Sequence, residues 1–269
     1  MAKSKQKILK KHKVSTFDYL AMIFFPVAAA FITNIFQISY LGSIFLFFAL
    51  PSVYLTVRKP DFLKKGLLVI LSGVIFSFIV SYFAVRDGSW YDSTIFSFRL
   101  LNGFPLEDLL WFPGWFYFVV IFYDYFIDRP KGGKEDPVNH RYKVLIEGLV
   151  GVLLVFLSFY IFAEKYLHIP YFYSVLMIGL GVLPLILELY YHPHLVFKFS
   201  KVIIYFFFIN LLHEIVGLSG GHWVFPGQRY IGWVKLGSLN IPFEEFFFWM
   251  LIGAGYILTW YEHFLDNDR

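Results

Sequence analysis

The sequence predicts an all-α protein, a polytopic bundle of about eight transmembrane helices arranged as two parallel four-helix repeats. Three observations lead there. Of the 269 residues, 58% are hydrophobic and only 16% charged, with a mean hydropathy of +0.64; a soluble domain carries about a quarter charged residues. The apolar residues gather in runs of roughly 17 to 22, the length that crosses a hydrocarbon core of about 30 Å. The polar residues fall in short stretches between these runs, and the two halves of the chain repeat one plan. A β-barrel would instead show short segments of alternating polarity.

The elements follow in order. Residues 1–16 hold Lys3, Lys5, Lys7, Lys10, Lys11 and Lys13 and read as a basic cytoplasmic tail facing lipid head groups. It lacks the short apolar core and small-residue cleavage site of a signal peptide. Residues 17–127 form the first repeat, with spans expected over Phe17 to Ile35, Leu41 to Val57, Gly66 to Val85 and Pro105 to Phe126. Arg58, Lys59, Lys64 and Lys65 surround Pro60 between the second and third spans. A polar loop from Arg86 to Gly103 precedes the fourth. Residues 128–143, with Arg129-Pro130-Lys131-Gly132-Gly133-Lys134, read as a cytoplasmic linker. Residues 144–264 form the second repeat, with spans over Val144 to Ala163, Tyr171 to Tyr190, Val202 to Leu218 and Pro242 to Phe264.

Pro51 and Pro184, Pro60 and Pro193, Gly88 and Gly221, and Trp90 and Trp223 all lie 133 residues apart, whereas Pro105 and Pro242 lie 137 apart. Four matches at one offset point to an internal duplication with a longer second loop. An even number of spans per half gives both halves one orientation, about an axis along the membrane normal. In the eight-span arrangement all Lys and Arg except Arg86, Arg99, Lys165, Arg229 and Lys235 fall on the N-terminal side. That bias places the N-terminus, linker and C-terminus in the cytoplasm, and the chain in the inner membrane of the cell.

The stretches with chemical potential are Pro105-Leu106-Glu107-Asp108 and Pro242-Phe243-Glu244-Glu245, each followed by aromatic and aliphatic residues. Proline at the first helical position and acids in the first turn are ordinary helix-capping features. Ionisable groups at membrane depth are costly and are commonly functional. Adjacent carboxyls in an apolar site cannot both ionise easily, so one holds a proton beside another able to take one. Such pairs suit acid–base chemistry on an apolar substrate; they also suit proton transport. His213-Glu214 lies at the depth of Glu244 and Glu245, and the first half has Val80-Ser81 there instead. Trp90 and Trp223 in matched loops fit either an interfacial aromatic belt or a wall able to stabilise a cation. Trp111 and Trp249 fit either such a wall or helix packing.

Other classes are set aside by what the chain lacks. It has no cysteine, hence no disulfide or thiolate chemistry. It has no Gly-x-Gly-x-x-Gly, no paired Asp-x-x-x-Asp clusters for Mg-diphosphate and no His-rich boxes. Glu188, His192 and His194 stand far from the acid pairs and read as structural, as do Glu147 and Glu164. The net charge of +4 fits basic cytoplasmic loops better than a nucleic-acid partner. The expected site therefore needs no cofactor and no metal.

The chain resembles the small membrane lycopene cyclases, which occur as two short subunits or as a fused domain; here both halves lie in one polypeptide. The resemblance rests on a repeated unit, Gly88-Ser89-Trp90 … Pro105-Leu106-Glu107-Asp108 and Gly221-His222-Trp223 … Pro242-Phe243-Glu244-Glu245. The first copy has Glu-Asp where the family most often has Glu-Glu, and Glu214 stands where an Asp is expected. The resemblance implies an isomerase of the intramolecular lyase type with no net redox change. It would turn acyclic ψ end groups into β rings by protonation, carbocation cyclisation and deprotonation. Glu244 and Glu245 would form the principal acid–base pair, Glu107 and Asp108 its counterpart, and Glu214 a further acid. Trp90, Trp111, Trp223, Trp249 and His213 would contact substrate. The implied partners are membrane lipid, a lycopene-like polyene, and a second copy of the chain or other carotenoid enzymes. Alternatives are a cyclase of C50 carotenoids or of ε or γ rings, a proton-coupled transporter, and a non-catalytic carotenoid-binding subunit.

Overall fold

The computed structural model describes residues 14–101, 103–128 and 138–266. Most of the basic tail and most of the linker, including Gly132-Gly133, lie outside the described residues. Among the described ones the protein is an all-α bundle. Seven helices are long and apolar enough to cross a membrane: α1 (Thr16–Phe36), α2 (Tyr40–Arg58), α3 (Pro60–Asp87), α4 (Asp108–Ile127), α5 (Tyr142–Phe162), α6 (Phe172–Tyr191) and α7 (Leu195–Gly220). The eighth expected span is a π-helix, Glu244–Leu251, followed after Ile252 by α8 (Gly253–Phe264). α3 and α7 begin several residues earlier than hydropathy alone indicates, because Lys64 and Lys65 in α3 and Lys198 and Lys201 in α7 interrupt the apolar run near their starts.

α4 is the most enclosed helix, with Trp115 to Phe122 all buried. Aromatic rings fill the core around it: Phe122 stacks on Tyr205 at 4.2 Å and Phe118 packs on Phe206 at 5.0 Å. The Trp115 indole donates to Asn210 Oδ1 at 2.9 Å, and Asn210 Nδ2 donates to the Met250 carbonyl at 3.1 Å. This polar staple ties α4, α7 and the π-helix together where no water competes. By contrast, α5 has Phe156 as its one buried residue and packs mainly on α3.

Positions paired by the 133-residue offset share local geometry. α3 and α7 both end on a left-handed glycine, Gly88 (φ 74°) and Gly221 (φ 67°). In both, the next amide bonds back into the helix at 2.8 Å, Ser89 to Ala84 and His222 to Gly217, the helix stop that glycine permits. π-helical turns interrupt α2 at Phe45–Ala49 and α6 at Met177–Val182, just before Pro51 and Pro184. The loops after the two glycines pair as short antiparallel strands, β1 (Tyr91–Asp92) and β2 (Trp223–Val224). Tyr91 faces Val224, its own counterpart in the other half, and Asp92 faces Trp223.

The prolines of the two acid motifs correct an expectation: neither opens its helix. Pro105 precedes α4 by three residues. Pro242 ends β4 (Leu239–Pro242), which pairs with β3 (Trp233–Leu236) across a turn at left-handed Gly237. In the first half the corresponding contact is a lone bridge, Leu100 to Phe104. The longer second loop is thus a longer hairpin.

At the opposite end of the bundle buried acids are neutralised by bases. Arg58 pairs with Asp18 at 3.1 Å and Lys65 with Asp266 at 3.4 Å, and Lys59 and Lys198 pair with Asp124 and Asp128. Oxygens of Asp128, Glu262 and Asp266 approach within 4.8 Å of one another. Lys198 bonds Asp128 and the Tyr123 hydroxyl donates to Glu262, so ion pairs and hydrogen bonds account for this cluster.

Candidate active site

Between the halves, at the end where α3 and α7 stop, lies a cavity of about 60 Å³, room for about four or five water molecules. Four carboxyl groups reach it: Asp92, Asp108, Glu214 and Glu245. All four expected tryptophans, Trp90, Trp111, Trp223 and Trp249, line it too, with Tyr40 and Tyr173. Both halves contribute to one cavity.

Each side chain is there for a local reason. Asp108 begins α4, so Trp111 and Phe112 follow it on the same face, three and four residues on. Glu245 lies in the wider turn of a π-helix, a form common at functional sites, which brings Trp249 to the same side. Facing residues in an antiparallel pair share a face of the ladder. The β1–β2 pairing therefore sets Asp92 beside Trp223 and turns Tyr91 and Val224 outward, where both are exposed. Trp223 lies over Gly217: a Cβ there would stand 1.9 Å from the indole.

The paired acids of each motif divide their roles. Glu107 and Glu244 are fully buried and stand outside the cavity lining. Glu107 accepts from the Thr94 hydroxyl at 2.9 Å and the Ile95 amide at 2.9 Å. Glu244 accepts from the Ile231 amide at 2.8 Å and from the Ser174 hydroxyl; its Oε2 has no partner. Neither makes a capping bond to its own helix. Both hold the loop that runs over the site. Asp108 and Glu245, the second acid of each motif, face the cavity. An acid–base pair of Glu244 and Glu245 is therefore not what the geometry offers, since the two neighbours point to different surroundings.

The cavity carboxyls also differ among themselves. Tyr173 donates its hydroxyl to Glu245 and the Trp223 indole donates to Glu214 at 3.2 Å. Asp108 lies beside Asp92 and Ser81, and no well-formed hydrogen bond reaches either Asp108 oxygen or Asp92 Oδ2. Burial, reinforced by Asp108, holds the Asp92 carboxyl well above the usual carboxylate range, against the opposing charge of Arg99. A buried carboxylate without donors is costly, so this pair is suited to keep one proton between its members.

His213 is not part of the lining. It is buried behind it, 4.8 Å from the Phe47 ring and 4.9 Å from the Trp223 ring, and acts as packing for the tryptophan wall. Glu164 pairs with Arg86 at 2.8 Å, and Glu188 lies 3.9 Å from His192 and from His263, both away from the cavity.

Sequence reasoning missed Asp92, Tyr40 and Tyr173. The signals were present. Tyr40 and Tyr173 are a further match at the 133-residue offset. Two-residue alternation after each Gly-x-Trp places Asp92 on the face of Trp90, and Phe225 on the face of Trp223. Comparison with known protein families, with curated protein sequences and with solved structures finds no match to this chain.

Proposed function

We propose that the chain cyclises the acyclic end group of a lycopene-like carotenoid, as an isomerase that consumes no cofactor. The observation that carries this reading is the composition of one cavity: two adjacent buried acids, Asp92 and Asp108, and two hydrogen-bonded carboxyls, Glu214 and Glu245, inside a wall of four indoles. Acids alone would equally serve a proton carrier. Acids enclosed by aromatic faces suit a reaction that makes and then discharges a carbocation.

In the proposed sequence the proton shared by Asp92 and Asp108 passes to C2 of the terminal double bond. The resulting tertiary cation at C1 is attacked by the C5–C6 double bond. A C1–C6 bond forms, closing a six-membered ring, and the cation moves to C5. Indole faces of Trp90, Trp111, Trp223 and Trp249 stabilise the positive charge, and their bulk keeps water from trapping it. Glu245, oriented by Tyr173, then removes the proton from C6 and leaves a β ring. One proton enters and one leaves, so atoms and electrons balance. Removal from another carbon adjacent to the cation gives ε or γ rings by the same route.

The test is expression in cells that accumulate lycopene, followed by pigment chromatography. Ring-bearing products of unchanged mass are expected. Unaltered lycopene beside membrane-inserted wild-type protein would refute the reading. Proton uptake without new pigment in reconstituted vesicles would favour the carrier.

A further inference from the structure

A second and larger cavity, about 430 Å³, lies under α5 between α3, α4, α6 and α8. It falls within the ~300–1,000 Å³ typical of small-molecule sites. Its wall runs from Val69 to Val80 along α3, about 16 Å at 1.5 Å per residue, or half of a hydrocarbon core of about 30 Å. It adjoins the acid cavity: Leu176, Met177 and Trp249 line both.

We propose that this chamber is the binding site for the hydrocarbon tail of the substrate whose end group occupies the acid cavity. The inference rests on the cyclase reading for the identity of the end group. It rests on the chamber itself for the chemical class of the tail, a linear, uncharged chain. No charged residue lines the chamber. Three of its polar side chains are engaged elsewhere: Ser72 donates to the Leu68 carbonyl at 2.9 Å, Trp260 to the Leu180 carbonyl at 3.0 Å and Tyr261 to Asp124 at 3.2 Å. A phospholipid would bring a charged head group with no partner in this lining, which an all-hydrocarbon tail does not. The Tyr256 hydroxyl, buried and without a hydrogen-bond partner, costs least against a polyene, whose π-electrons accept a weak O–H contact.

α5 supplies the removable wall. It contributes Val144, Leu145, Gly148 and Val152 from one face while most of its surface stays exposed, so a chain enters sideways from lipid past this helix. The arrangement has a consequence for product order. With the tail in the chamber, one end group at a time reaches the acids. A substrate with two acyclic ends must leave and return reversed, so a one-ring product precedes a two-ring product.

Filling the chamber tests the proposal. A Cβ at Gly148 meets nothing within 4 Å, and the same holds at Gly151 on the same helix, which is outside the lining. Gly148→Phe and Ser72→Phe intrude from two different helices of the wall, and Gly151→Phe is the control. Each protein, in lipid nanodiscs, is titrated with acyclic lycopene and with a short acyclic isoprenoid hydrocarbon that fills only the acid cavity. Quenching of tryptophan fluorescence reports binding, since Trp249 and Trp260 line the chamber.

Lycopene affinity is expected to fall at least tenfold in both filled variants, as displacement of about two buried methylenes requires. Gly151→Phe should match wild type, and the short hydrocarbon should bind all four proteins alike. Monodisperse elution verifies folding, with Ser72→Leu as the milder replacement for a variant that fails it. Wild-type lycopene affinity in both folded filled variants overturns the proposal. Loss of co-purified phospholipid with lycopene binding intact also overturns it, identifying a lipid site. The two readings separate cleanly: binding in the chamber without ring formation sinks the cyclase alone, and wild-type ring formation in both filled variants sinks the tail site alone.

Discussion

Replacing the four motif acids one at a time separates the loop-holding carboxyls from the cavity carboxyls. In Glu244→Gln the bonds that the carboxyl accepts from the Ile231 amide, 2.8 Å, and from Ser174 pass to an amide, whose own NH₂ must also be buried. The expected cost is about 1–3 kcal/mol. At about 2–4 °C per kcal/mol for a chain of this size, melting should fall by roughly 2–12 °C, with turnover per folded molecule nearly unchanged. Glu107→Gln should behave alike, since it loses the same type of bonds from Thr94 and Ile95. Asp108→Asn keeps the side chain's size and alters only its contacts with Asp92 and Ser81; melting should change little while ring formation falls about 10²–10⁴-fold, the range for a general acid or base. Glu245→Gln should lose turnover on the same scale. Because one cavity takes residues from both halves, each cavity variant should abolish product rather than halve it. The assays are ring-bearing pigment per unit of membrane protein and thermal melting in detergent. Full turnover in Asp108→Asn, or a turnover loss in Glu244→Gln equal to that in Glu245→Gln at unchanged melting, would refute this division.

Three further outcomes follow. Asp92 binds its proton more tightly folded than unfolded, so its contribution to stability is fully present below about pH 4 and is lost as pH rises toward the raised folded value; melting measured against pH in wild type and in Asp92→Asn should differ by this slope. Gly217→Ala places a methyl 1.9 Å from the Trp223 ring, so the indole must move; ring formation should drop at least tenfold and Trp223 emission should shift, whereas unchanged spectra and turnover would show that the contact is slack. The charge asymmetry of the loops predicts that reporters fused at Gly132 and at the C-terminus read cytoplasmic and one at Gly221 reads external; a cytoplasmic signal at Gly221 would overturn the orientation.

The sequence by itself determined the helical membrane class, because hydropathy is a local sum and a run of apolar residues cannot lie anywhere but in lipid or core. It also marked the acid pairs, Glu214 and the four tryptophans, since costly residues stand out in an apolar chain. Which acid of each adjacent pair faces the cavity was decided only by tertiary structure. Neighbours on a helix point about 100° apart, a consequence of 3.6 residues per turn, and α4 is apolar around its whole circumference, so nothing in its pattern fixes its rotation. Packing fixed it, through Trp115, Asn210 and Met250. Asp92 depended on a strand pairing with Trp223, 131 residues away, and the chamber on the spacing of helices, neither of which any local stretch encodes. His213 shows the converse: its neighbour Glu214 lines the cavity, while one step of helical rotation sets the imidazole behind the wall.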